Sequence, residues 1–250
     1  MPTIEQILDK YVQALGGKAV VQKLTSRAMK GTLSAPAFGA TGTIEMYAKS
    51  PNKQLTEMAS SILGTWRLGF NGRMAWEDED GEIQELAVFP RREADFYLPI
   101  KMQELYPRIE LRGKEKVGNR EAYLLEAPRA GNPKRWYFDT GTGLLLRTEA
   151  RNLKGELLNR EDYSDYRAVD GLQIAFGICQ IDEEGTEFII QISEVKHNVP
   201  IDDSRFDKPA AKTTPAGKTT TESTPFDPGN SKFTIPSFLL TFDRSHVILL

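Results

Sequence analysis

The segment Lys134–Arg151, KRWYFDTGTGLLLRTEAR, constrains the fold most. Trp136 and Phe138 before a break, and Leu144 and Leu146 after it, recur at every second position. Strands turn alternate residues to one face, so both halves read as strands sharing an apolar side. The break, Asp139–Gly143, contains two glycines that tolerate positive φ and an aspartate able to bond its own backbone. This predicts a hairpin closed by a loop of about 3–5 residues. The same residues spell Asp139-Thr140-Gly141-Thr142, the string found in aspartic proteases. Those enzymes need a second carboxylate to share a proton. Here the apolar alternation resumes at once after Gly143, as a turn requires, so the turn reading is preferred.

The same period of two runs along most of the chain. Strands are predicted at Ala28–Leu33, Thr43–Lys49, Gln54–Met58, Thr65–Phe70, Met74–Glu77 and Glu82–Leu86. They resume at Arg108–Lys114, Glu121–Ala127, Arg135–Phe138, Leu144–Arg151, Leu157–Tyr163, Gln173–Gln180 and Glu187–Val195. Turn signals between them, Asn71-Gly72 strongest, argue for one antiparallel meander with sequence neighbours paired. Before the strands, Ile4, Ile7, Leu8, Tyr11, Val12 and Leu15 follow helical spacing, with Thr3 placed to cap and Gly16-Gly17 to stop. A second helix is expected at Lys18–Leu24, and a third, interrupted near Pro99, within Arg91–Tyr106.

Such a sheet twists and curls, and its apolar face needs a cover. The expectation is an α+β fold: a strongly curved antiparallel sheet with the N-terminal helices over its concave face. Trp66, Leu68, Phe70, Trp76, Tyr123, Leu125, Trp136, Phe138, Phe176 and Ile190 are the expected inner residues and the candidate lining of a ligand cavity. Core packing is the plain alternative for such aromatics. Arg135 and Arg147 read as members of a surface ion-pair ladder. His197 reads as structural or exposed, and Cys179 as a small hydrophobe in a buried strand.

Composition excludes more than it assigns. A net charge of −3 gives no electrostatic footprint for nucleic acid. One cysteine and two histidines cannot build a zinc site or a disulfide framework. Asp202, Asp203 and Asp207 lack the glycine and terminal glutamate of a calcium loop and read as an exit turn, with Phe206 tucked onto the sheet edge. No cofactor is expected, no run is apolar enough for a transmembrane helix, and the start lacks the features of a signal peptide, so the chain as given reads as cytoplasmic. No nucleophile–base pair, acid–base pair or metal cluster can be assembled, so the chain is expected not to be an enzyme.

Three regions are expected. Residues 1–208 form the sheet domain. Residues 209–230 form a disordered Thr/Pro-rich linker. Residues 231–250 form an apolar extended tail, too short to fold alone, that reads as the start of an interrupted second module.

The order IEQILDKYVQALGG, GTL, YFDTGTGLLLRTE, DYRAVDGLQIAF and EVKHNVPIDDSRFDKP resembles bacterial outer-membrane lipoprotein-sorting-like proteins, the superfamily of the LolA- and LolB-type lipoprotein carriers. The resemblance covers about Thr3–Pro209. It implies a half-barrel closed by helices, and non-enzymatic binding of a hydrophobic small molecule or the acyl chains of a lipid or lipoprotein. It also implies a monomer acting in the periplasm or cell envelope. No ligand-contact residue of those carriers matches one by one. The tail SKFTIPSFLLTFDRSHVILL is similar to the first strands of retropepsin-like aspartic protease domains. That implies an alternative role, the N-terminal structural or targeting module of a truncated protease precursor.

Overall fold

A computed structural model describes residues 1–87, 89, 91–128 and 132–210. The linker and tail expected beyond Ala210 lie outside the described residues, as does the resemblance built on the tail.

Helix α1, Ile4–Leu15, begins as its sequence prescribes. The Thr3 hydroxyl accepts from the Gln6 amide, and the Gln6 side chain accepts from the Thr3 amide, which satisfies two orphan donors. Gly16, at φ +126°, ends it. Helix α2 is only Lys18–Val21, shorter than the expected Lys18–Leu24, because the chain must unwind to enter the first strand at Ser26.

Among the described residues thirteen antiparallel strands follow: β1 Ser26–Ala35, β2 Ala40–Lys49, β3 Lys53–Ser60, β4 Gly64–Phe70, β5 Ala75–Glu79, β6 Glu82–Leu86, β7 Glu110–Val117, β8 Arg120–Ala127, β9 Lys134–Asp139, β10 Leu145–Arg151, β11 Leu157–Val169, β12 Leu172–Asp182 and β13 Glu187–His197. Every expected strand is present, and all belong to one sheet. Its order is β6-β5-β4-β3-β2-β1-β13-β12-β11-β10-β9-β8-β7. This corrects the single meander. Two meanders meet where the first strand pairs with the last, Arg27 opposite His197 and Leu33 opposite Ile190. The consecutive strands β6 and β7 are therefore the two free edges, and the sheet is not closed.

That order dictates what lies between them. Antiparallel alternation makes β6 and β7 run in the same direction, so the connection must cross the width of the sheet and return along its length. Helix α3, Leu98–Leu105, sits in that crossing. Pro99 stands in its first turn instead of breaking it, since a missing amide costs nothing there. Leu98 and Met102 of α3, and Ile7, Leu8, Tyr11 and Leu15 of α1, join the main core with Met29, Leu33, Ile44, Trp136, Phe138 and Ile190 from the sheet. Both helices thus pack on one sheet face, here called the inner face. No helix among the described residues is long and apolar enough to cross a membrane.

Candidate functional site

The inner face gathers most, not all, of the expected lining. Trp66, Leu68, Leu125, Trp136, Phe138, Phe176 and Ile190 are buried in one core with the helices, and Tyr123 packs half-buried against it. Tyr11 of α1 stacks tilted on Phe138 at 4.9 Å, and Tyr106, just after α3, meets Trp136 edge-on at 4.8 Å. Phe70 lies apart, with Ala75 and Ala94.

Trp76 faces the other way. Alternation along β5 puts Ala75, Glu77 and Glu79 on the inner face and Trp76 on the outer one, where it packs with Tyr47, Leu55, Ile201 and Phe206. Its indole donates to the Phe206 carbonyl at 2.8 Å. The C-terminal segment thus folds back on the outer face of the sheet, and Phe206 covers that face, not the sheet edge. A large residue in a short strand cannot be assigned a face by size alone.

The inner face also carries charge that sequence reading missed. At one end, Glu161 is 2% exposed. It accepts from Gln180 Nε2 at 2.6 Å, from the Tyr163 hydroxyl at 2.5 Å and from Thr148 Oγ1 at 3.4 Å. Burial, with the Glu161 charge added, raises the Tyr163 hydroxyl well above the usual phenol range. Glu77, buried under β4, accepts from Trp66 Nε1 at 2.8 Å and Gln84 Nε2 at 3.0 Å. Lys134, at the start of β9, is buried as well. At the opposite end, by the helices, stands Arg27, 2% exposed, on the face of Met29 and Leu33. Burial pulls its guanidinium down to about 9, against the opposing pull of Tyr11. A signal did exist: Arg27, Lys134 and Glu161 occupy the same alternate register as Met29, Trp136 and Tyr163. A charge in the apolar register of a strand has to be buried or to face a cavity.

The motif at Asp139 is a turn. Its Oδ1 accepts from the Gly141 amide at 3.0 Å and from the Thr142 amide and hydroxyl at 2.6 and 2.9 Å. Its Oδ2 pairs with Arg120 Nε at 2.8 Å. Burial pushes the carboxyl up, but the Thr142 bonds and the Arg120 charge outweigh it and hold it below the usual range. Both oxygens are thus engaged within the hairpin and its neighbour.

Most of the remaining candidates have partners within the fold. Arg135 and Arg112 share Glu126, and Arg147 bonds Asp162 at 2.5 Å, an ion-pair ladder across the outer face. His197 directs Nδ1 to Asp170 at 3.0 Å. Cys179 is half-buried on the outer face, not in the core, and burial pushes its thiol up. Asp203 pairs with Lys49 and Lys53, Asp202 caps Ser204, and Asp207 accepts from Asn71. No group of three metal-ligating side chains occurs among the described residues. A cleft of about 870 Å³ lies where this segment passes the ends of β1 and β2. Polar groups in its wall are matched to one another: the Ser26 hydroxyl donates to Val199 O, Lys49 to Ile201 O, and the Thr25 amide to Asn198.

No family model and no curated protein matches the sequence. Solved structures do. A LolA superfamily protein from Nitrosomonas europaea is similar at 14% identity and a TM-score of 0.56, covering 83% of this chain and 99% of its own. A domain named for outer-membrane lipoprotein sorting from Vibrio parahaemolyticus gives 13% identity and 0.57, over 82% and 97%. A DUF1329 family protein from Desulfovibrio piger gives 15% and 0.56, over 83% and 98%. The shared feature is the fold: a large open antiparallel sheet with few helices.

Proposed function

We propose that this chain binds and carries a hydrophobic ligand, the acyl chains of a lipid or lipoprotein, without catalysing a reaction, in the bacterial cell envelope. In this reading the inner face is concave, α1 and α3 are its cover, and the protein works as a monomer.

The observation that carries the reading is how the cover is attached. Helices α1 and α3 meet the sheet through Ile7, Leu8, Tyr11, Leu15, Leu98 and Met102, which are side chains with non-directional contacts. Polar ties on the helices and their flanks are sparse, such as Lys10 Nζ to Thr140 O at 2.7 Å and the Tyr97 hydroxyl to Leu24 O at 2.9 Å. An alkyl chain can replace apolar contacts without leaving a ladder bond unmade. The sheet's own hydrogen bonds hold the frame while the cover shifts. The lipoprotein-sorting name of one structural relative agrees with this reading. Native mass spectrometry of the purified protein tests it. Co-purifying lipid, or saturable uptake of a fluorescent fatty acid, is expected; absence of both rejects carriage.

A further inference from the structure

Arg27 is a buried cation to which the described structure gives no anion. Its Nε and Nη1 have no hydrogen-bond partner. Two other polar atoms beside it are in the same condition. Tyr11, 1% exposed, leaves its hydroxyl unpartnered, and His197, whose side chain is 1% exposed, leaves Nε2 unpartnered. The three are brought together by the fold: Arg27 is the cross-strand partner of His197, and Tyr11 is near enough that it and Arg27 shift each other's proton affinity. The Asp170 carboxylate takes the Nδ1 side of His197, not Arg27.

Burying one polar atom without a partner is costly, and burying an unpaired guanidinium far more so. Three such side chains at one place, at the end of the sheet away from Glu161, point to a missing partner. Arg27 supplies donors only, since a guanidinium cannot accept, and the Tyr11 phenol keeps a proton that it can donate. Donors around a fixed positive charge fit an anion. The apolar inner face begins at the same strands, with Met29 two residues along β1 and Ala48 opposite Arg27 on β2.

We infer that Arg27, with Tyr11, receives the anionic head of a single-chain amphiphile, a fatty-acid-type carboxylate, whose alkyl chain lies along the inner face. This rests on the carriage reading and names the ligand class for it. Head and chain are recognised separately: the head by charge-assisted hydrogen bonds, the chain by burial. His197 Nε2 borders the site with a lone pair, since Nδ1 carries the proton given to Asp170, and so adds no donor to the anion.

The test is displacement of the neutral dye Nile red by palmitate and by 1-hexadecanol, which share a chain length and differ in charge. The native protein is expected to prefer palmitate by about tenfold or more, the scale of one good charge-assisted contact. In Arg27→Met that preference should collapse to about one, and in Arg27→Lys part of it should return. Equal affinity of the native protein for acid and alcohol overturns the inference and leaves carriage standing. Binding of neither overturns both. Acetate and inorganic phosphate carry charge without a chain and are expected not to displace palmitate at millimolar levels. If they do, the site takes free anions and the amphiphile assignment is wrong. Should Arg27→Met fail to fold, the preference of the native protein decides alone.

Discussion

Asp139 shows how little a short motif means without its surroundings. Four residues match a protease string, yet the carboxylate closes a hairpin and pairs with Arg120. Asp139→Asn keeps an acceptor for the Thr142 amide and loses the charge. The expected cost is about 1 kcal/mol, because Arg120 is substantially exposed and its attraction is screened. The pH dependence has a definite sign. The folded carboxyl titrates below its unfolded value, so its stabilisation is present above about pH 4 and lost as pH falls through the folded value. Melting curves of the native and Asp139→Asn proteins should therefore differ at neutral pH and converge in acid. An unchanged difference at pH 2 would mean that the turn is held by something other than the ionised carboxylate. Arg27 teaches the converse. No motif marks it, and only its place in the strand register reveals that a charge has gone inside.

Elements were largely legible because period two and turn residues act locally. All thirteen strands and the capped α1 follow from such signals. Misreadings arose where tertiary contact decides. Trp76, expected on the inner face, is an example. It lies opposite Gly69, where a Cβ would stand 2.2 Å from its ring. The glycine makes room for an indole lying flat over β4, which is why Trp76 is buried on the outer face. Gly69→Ala is expected to cost about 1–3 kcal/mol, the range of overpacking, and to quench or shift the Trp76 fluorescence in the folded state. A neutral effect would place the ring elsewhere. Gly16 plays the same part for α1. It combines φ +126° with a Cβ position 2.1 Å from Gly171 O, so the helix end docks directly on the β11–β12 hairpin. Gly16→Ala should lower the melting temperature and raise amide exchange in α1 more than in β13. Uniform loss of protection would instead mean that α1 is not a separable unit.

At the scale of the molecule, the strand order was the least legible feature. Local signals say which strands exist; they do not say that the first pairs with the last, because that contact closes a loop of more than a hundred residues. Yet this pairing decides the function proposed above. It puts the two meanders side by side, sends β6 and β7 to opposite edges, and forces α3 across the inner face, where it meets α1. The sheet and the helices packed on it are thus held by different forces: continuous ladders through β1 and β13, and apolar contacts beneath the helices. Their stabilities should differ accordingly. Hydrogen exchange is expected to find amides of α1 and α3 opening well before those of β1 and β13. Saturating palmitate should slow exchange in the helices, since a bound chain fills the space between cover and sheet, while central-strand amides change little. If ligand protects the free edges β6 and β7 instead, the amphiphile binds along the sheet rim and the helices are plain core. If helices and central strands open together in one cooperative step, the cover does not move apart from the frame, and a ligand has to enter by another route.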